Sequence, residues 1–519
     1  MKLERTKNAK RNIVFGTLST VITMLLPFVV RTVIINKLGA DYLGLNSLFT
    51  SILQVLNLSE LGFSSAIVYS MYKPIAEQDD DTVCALLLLY NKIYKVVGTV
   101  IFVVGLCLIP FLEHLISGDY PADINIYIIY VIYLVNTSLS YFMFAYKSSL
   151  LNAYQRTDVV SNIKTITTVG QYVIQIIIIL TLANYYVYII VMPLFTLVNN
   201  IINAIWVKKL FPQYSCRGKV KPEIIKNIKT NVAGLMVNKL CSTSRNSFDS
   251  IFVSAFLGLT MTAIYNNYYY IFSAVVQVMA VLVSSMLAGA GNSVVTETKE
   301  KNYNDMNKFN FLYMWIAGWC TCCFLCLYQP FMKIWVGEEL MLPFSSVVLF
   351  CAYFYVIKMG DVRGLYIDAA GLWWKQKWRA IAESAANLIL NFTLVQFFGI
   401  NGIIAATLIS LFIINFCLGT QFVFKFYFQN GKMWQYFLYH GRYALVTIVA
   451  CCTSYAVCSL IQIEGILEFI LKLLICCVVP NIIYLLCYFK TKQYNISMSW
   501  ILSSFHLEQK LGFLLPKKK

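Results

Sequence analysis

Residues 13–35 read IVFGTLSTVITMLLPFVVRTVII, an apolar run long enough to cross a bilayer as one helix. About 20 such residues, rising 1.5 Å each, match the hydrocarbon thickness. Comparable runs recur as far as Phe489, roughly 14 of them by length and apolarity, with no soluble domain between. Composition agrees, because 59% hydrophobic and 13% charged residues cannot furnish a soluble surface. The expected fold is all-α, a polytopic integral membrane protein with about 14 transmembrane helices. The first run is long, contains Pro27 and Arg31, and is followed by no small-residue cleavage pattern, so it is expected to stay in the mature chain.

A formal net charge of +17 invites a nucleic-acid reading. The basic residues form no patch, however, but are shared among short segments that alternate with the apolar runs, which excludes that partner. They crowd the N-terminus (Lys2, Arg5, Lys7), the central loop (Lys208, Lys209, Arg217, Lys219, Lys221) and the tail (Lys490, Lys492, Lys517), with smaller groups in alternate loops. The intervening turns near Asp41, Asp119, Asn184, Leu259, Glu338, Asn401 and Glu464 are nearly free of them. Loops rich in Lys and Arg stay cytoplasmic, so both termini are expected there and the number of passes is even.

The runs group as six, six and two. This predicts an N-lobe over residues 1–225, a C-lobe over 226–435, a helix pair over 436–490 and a basic cytoplasmic tail over 491–519. Six passes return the chain to its starting side, so the lobes would be parallel repeats about an axis along the membrane normal. Landmarks recur at a constant 219 residues: Leu38-Gly39 with Leu257-Gly258, Asn91 and Tyr94 with Asn310 and Tyr313, Gly118 with Gly337.

Polar residues three or four apart inside a run share one helix face, turned from lipid. The second run carries Asn46, Thr50, Gln54, Asn57, Glu60 and Ser64; the seventh carries Asn238, Lys239, Ser242, Arg245, Asn246 and Asp249; the eighth carries Asn266, Tyr270, Ser273, Gln277 and Ser284. For isolated Ser or Thr, hydrogen-bonded glue between helices suffices. A charge at the bilayer centre costs about 2.5–3.5 kcal/mol on insertion scales, so Arg31, Glu60, Lys239, Arg245 and Asp249 point to a hydrated cavity between lobes. Lys358, Asp361 and Arg363 near the end of the tenth run fit a cavity or a salt-bridged helix end equally well. Gln171/Gln175 and Asn387/Asn391 read as helix glue. Arg31 and Asp249 fall within one residue of the repeat spacing, which predicts an ion pair closing one side of the cavity; the alternative is that Asp249 neutralises Arg245 one turn away.

Sixteen cysteines lie mostly inside apolar runs, among them Cys320, Cys322, Cys323, Cys326, Cys451, Cys452, Cys476 and Cys477, and are read as small packing residues rather than metal ligands. Walker A, HExxH and GxSxG motifs are missing, which argues against an enzyme and leaves an ion or substrate gradient to drive movement.

The stretch LGADYLGLNSLFTSILQVLNLSELGFSSAIVYSMYKPIAEQDD from Leu38, with NKIYKVVG from Asn91, resembles the second and third spans of Wzx-like bacterial polysaccharide flippases, within the multidrug/oligosaccharidyl-lipid/polysaccharide exporter superfamily. The resemblance implies a multi-pass protein of the cell membrane. It would move undecaprenyl-diphosphate-linked oligosaccharide from inner to outer leaflet by alternating access, for capsule, O-antigen or a related polymer. It implies membrane lipid and other polysaccharide assembly proteins as partners, no cofactor, and H+ or Na+ as the candidate coupling ion. Arg31, Lys239 and Arg245 would face the diphosphate, with Asn57, Glu60, Asp249, Gln277, Lys358, Asp361 and Arg363 along the path. A multidrug or lipid-linked peptidoglycan precursor exporter shares the architecture, and a membrane-embedded polymerase would need a larger external loop than these turns offer.

Overall fold

A computed structural model describes residues 5–57, 63–429, 431–461 and 463–504. The described residues are helical and include no strand. Two compact units divide the chain, Met1–Asn266 and Asn267–Lys519. The first carries α1 (Arg5–Lys37), α2 (Ala40–Leu56), α3 (Phe63–Glu77), α4 (Asp80–Cys107), α5 (Ile126–Phe142), the short α6 (Ser148–Ala153), α7 (Thr157–Leu182) and α8 (Tyr185–Leu210). The long α9 (Pro222–Thr296) bends at Gly258 and runs past the boundary. The second unit holds α10 (Lys299–Val336), α11 (Phe344–Met359), α12 (Asp361–Ala369), α13 (Trp373–Ser410) with its break at Gly399, α14 (Gly419–Val423), α15 (Met433–Ser459), α16 (Ile466–Tyr488) and α17 (Lys492–Ser504).

Among the described residues ten segments are long and apolar enough to cross a membrane. Two of these are bent pairs, divided at Gly258 and Gly399. Each pair supplies two arms, and α5 is a further, shorter apolar helix of 17 residues. The protein is thus a multi-pass, all-α membrane protein.

Helix ends follow local chemistry. Asp79 caps α4 by accepting from the Thr82 amide at 3.0 Å, Asn125 caps α5, Asn184 caps α8 and Thr298 caps α10. Gly39 precedes α2 at φ 113° and ψ 166°, and Gly258 stands at φ 85° and ψ 178° before the second half of α9. Gly118 and Gly337, also 219 residues apart, share positive φ of 80° and 84°. Such conformations are all but confined to glycine. The repeat thus conserves the same backbone corners at the same spacing.

Lipid tails are as apolar as leucine, so close packing and hydrogen bonds, rather than escape from water, hold membrane helices together. In the first unit Leu43, Leu48 and Phe49 of α2 are fully buried, and the Phe49 ring meets Tyr130 edge-on at 5.5 Å. Gly44 lets α2 touch the bend in α9, since a Cβ there would lie 2.2 Å from the Leu259 carbonyl oxygen. Gly44→Ala is expected to cost about 1–3 kcal/mol by forcing these backbones apart. A lower melting temperature of the detergent-purified variant checks this, and an unchanged one shows that the contact yields freely.

Candidate functional site

In the first unit the polar face of α2 meets other helices at Asn46 and Asn57, while Thr50 and Gln54 on the same face are exposed. Asn46 accepts from the Tyr133 hydroxyl at 2.9 Å, Gln54 from the Ser247 hydroxyl at 3.4 Å, and Asn57 from the Tyr141 hydroxyl at 3.0 Å. Arg245 and Asp249 are both buried, one turn apart on α9, and Asp249 accepts from the Tyr265 hydroxyl at 3.4 Å. Half-buried Arg31 on α1 lies within electrostatic reach of Tyr172 on α7 and Tyr188 on α8. Lys239 sits on α9, and Glu60 lies outside the described residues.

One end of this unit is closed by hydrogen bonds to α9. The Ser254 hydroxyl donates to the Leu115 carbonyl at 2.7 Å, and the Ser117 amide donates to the Ser254 carbonyl at 2.9 Å. The Thr260 hydroxyl donates to Asp41. Asp41 and Thr260 are 219 residues apart, so equivalent positions of the two repeats bond to each other.

The second unit gathers a separate charged cluster. Asp361 Oδ2 accepts from Lys358 Nζ at 2.8 Å and from the Tyr313 hydroxyl at 2.5 Å. The Lys358 side chain is 2% exposed against 27% for Asp361. Arg363 is fully enclosed: Nη1 donates to the Asn415 carbonyl at 2.9 Å, the Phe416 carbonyl at 3.0 Å and Thr420 Oγ1 at 3.1 Å, and Nη2 to Asn415 Oδ1 at 3.2 Å. The Asn415 amide then donates to Glu383 at 2.9 Å, which also pairs with Arg379 at 2.8 Å. Gln277 is exposed on the second half of α9.

Glu383 is buried and was not read from the sequence as a site residue, and Asn310, read there only as a repeat landmark, is buried with its amide 2.9 Å from His440 Nε2. A polar cavity of about 350 Å3 among α5, α7 and α8, lined by Lys164, Thr167, Gln171, Asn199, Asn200 and Asn203, was not read from the sequence either. Asn199 and Asn203 stand one turn apart in an otherwise apolar run, the signal used elsewhere for polar stripes. A larger, mostly apolar cavity of about 890 Å3 lies between the second half of α9, α10 and α17, with Asp305 and Tyr313 in its wall.

The family described as polysaccharide biosynthesis protein matches residues 9–288. No curated protein matches the chain. Among solved structures, the lipid II flippase MurJ in an inward closed conformation is 16% identical, with a TM-score of 0.62 over 92% of this chain and 99% of that one. A multidrug resistance MATE family transporter of the MOP superfamily, inward-facing, is 12% identical at TM-score 0.59, over 78% and 94%. A MOP superfamily transporter from Pyrococcus furiosus is 12% identical at TM-score 0.54, over 80% and 95%. At these identities the similarity shows the fold alone, shared with the flippase and transporters just named. Because the family match spans more than half of the 519 residues, beginning just before the first membrane run and ending beyond the bend of α9, the chain belongs to the polysaccharide biosynthesis protein family.

Proposed function

We propose that the protein is a flippase that moves an undecaprenyl-diphosphate-linked oligosaccharide from the inner to the outer leaflet of a bacterial cell membrane. The observation that carries this is the family match over residues 9–288 on a chain with the MOP transporter fold. In this reading residues 1–225 and 226–435 act as two lobes that alternate access, residues 436–490 are an appended pair, and both termini are cytoplasmic, as the basic loops require. Arg31, Lys239 and Arg245 meet the diphosphate, whose charge must be offset once it leaves water. No cofactor takes part, an H+ or Na+ gradient drives the cycle, and other polysaccharide assembly proteins receive the product.

The similarity to the lipid II flippase MurJ over nearly the full length of both chains supports a second reading, in which a lipid-linked peptidoglycan precursor is the cargo. Deleting the gene separates the two. The first reading expects surface polysaccharide to vanish while its lipid-linked repeat accumulates, and plasmid-borne gene to reverse both. Accumulation of the peptidoglycan precursor instead supports the second. Normal surface polymer and no lipid-linked intermediate, in a strain with no second flippase, would overturn both.

A further inference from the structure

The cysteines scattered through three apolar runs come together in the second unit. α10, α15 and α16 pack on one another, and along their seam Cys322 Sγ of α10 lies 3.3 Å from Cys451 Sγ of α15. Farther along, Cys326 of α10, Cys458 of α15 and Cys476 of α16 hold their sulfur atoms within 4.8 Å of one another. All three are enclosed, at 3%, 2% and 0% exposure, and form a small cluster of their own against Cys323, Leu327 and Ile475.

We propose that Cys326, Cys458 and Cys476 form a binding site for a thiophilic d10 metal ion, Zn2+ or Cu+. A tetrahedral Zn–S bond of about 2.3 Å sets ligand sulfurs about 3.8 Å apart, so the trio needs to close by about 1 Å at most. Thiolate ligands select soft ions over Mg2+ or Ca2+, which demand oxygen. Among the described residues no histidine or carboxylate joins the three sulfurs. Lys472, one turn before Cys476 and within electrostatic reach of both Cys458 and Cys476, offsets negative charge there while pairing with Glu468 at 2.5 Å. Cys458 lies in the last turn of α15, so an ion would enter from that helix end, where Glu338 and Glu464 share Lys333 at 2.7 and 3.1 Å and remain exposed. Binding Zn2+ converts three thiols to thiolates and releases three protons to solvent. The bound ion ties the last two membrane helices to α10, a structural clasp independent of what the protein transports.

The test uses full-length protein purified in detergent, reduced and stripped with a chelator, then titrated with Zn2+ or, without oxygen, with Cu+ against a chromophoric competitor. One equivalent should bind. Cys458→Ser and Cys476→Ser should each weaken it at least about 100-fold, whereas C487S, at an exposed site on the same helix, should leave it unchanged. Competition between the two ions identifies which is held more tightly. A readout that needs no variant guards against misfolding: X-ray absorption at the metal edge of the loaded natural protein should show sulfur neighbours at about 2.3 Å. Absence of stoichiometric binding by either ion, binding unmoved by both serine variants, or a metal without sulfur neighbours would overturn the proposal and leave the trio as packing.

Discussion

Arg363→Ala is expected to destabilise the second unit by at least about 1–3 kcal/mol, the cost of leaving a buried carbonyl such as that of Asn415 without its donor. The reason lies in the helix that Arg363 serves. Residues Leu411–Leu418 wind as a π-helix, whose wider turn departs from the i→i+4 ladder. The Arg363 guanidinium fills that departure by donating to the Asn415 and Phe416 carbonyls. In a bilayer no water is at hand to replace it. Two glycines make room: a Cβ at Gly419 would come within 2.5 Å of Nη1, and one at Gly360 within 3.1 Å of Nη2. Arg363→Lys should recover only part of the loss, since an ammonium cannot span carbonyl, hydroxyl and amide as a planar fork does. Melting of the detergent-purified variants checks the order, natural protein above lysine above alanine. An alanine variant as stable as the natural protein would refute this account of the π-helix.

The membrane fold was legible because its period is imposed by the bilayer rather than by the chain. Runs of about 20 apolar residues and alternating basic loops report passes without knowledge of any neighbour. Even the repeat showed itself in Gly39 and Gly258, since a corner that only glycine tolerates fixes the residue type. Partners were less legible. Asn46, Gln54 and Asn57 were read from spacing as a stripe turned from lipid, but spacing does not say that Tyr133, Ser247 and Tyr141, 84 to 193 residues away, receive them. A polar residue in a span satisfies the same rule whether it meets a cavity or another helix. The π-helix was invisible because LFIINFCL is apolar throughout and carries no period to betray a change of winding. The cysteine trio, at positions 326, 458 and 476, follows no ligand spacing, since packing of three helices brings it together. Glu383 was overlooked beside Arg379, four residues back, a pair that reads as an ordinary helix-surface couple until its burial is known.

The largest functional effect is expected at Lys358 and Asp361. Asp361→Asn removes the carboxylate that faces the enclosed Lys358 ammonium at 2.8 Å. Breaking a buried pair from one side costs about 3–5 kcal/mol, because the remaining charge stays in a poor solvent. The single variant should therefore both lose stability and fail to restore surface polysaccharide in the deletion strain. By itself that loss does not separate a transport role from a structural one. The paired variant Lys358→Met with Asp361→Leu does, since removing both charges relieves the desolvation cost and should return part of the stability that the single variant loses. Tyr313, whose hydroxyl also donates to Asp361 at 2.5 Å, then loses one acceptor, a cost of about 1–3 kcal/mol. Asp361 is the more exposed member of the pair, and on the proposed flippase reading it is the one that would exchange Lys358 for an ion or a substrate group. A translocation role predicts that the paired variant folds, reaches the membrane and still exports no polymer. Restored export by the paired variant would instead mark Lys358 and Asp361 as a bolt between α11 and α12, and would shift the search for the substrate path to Arg31 and Arg245.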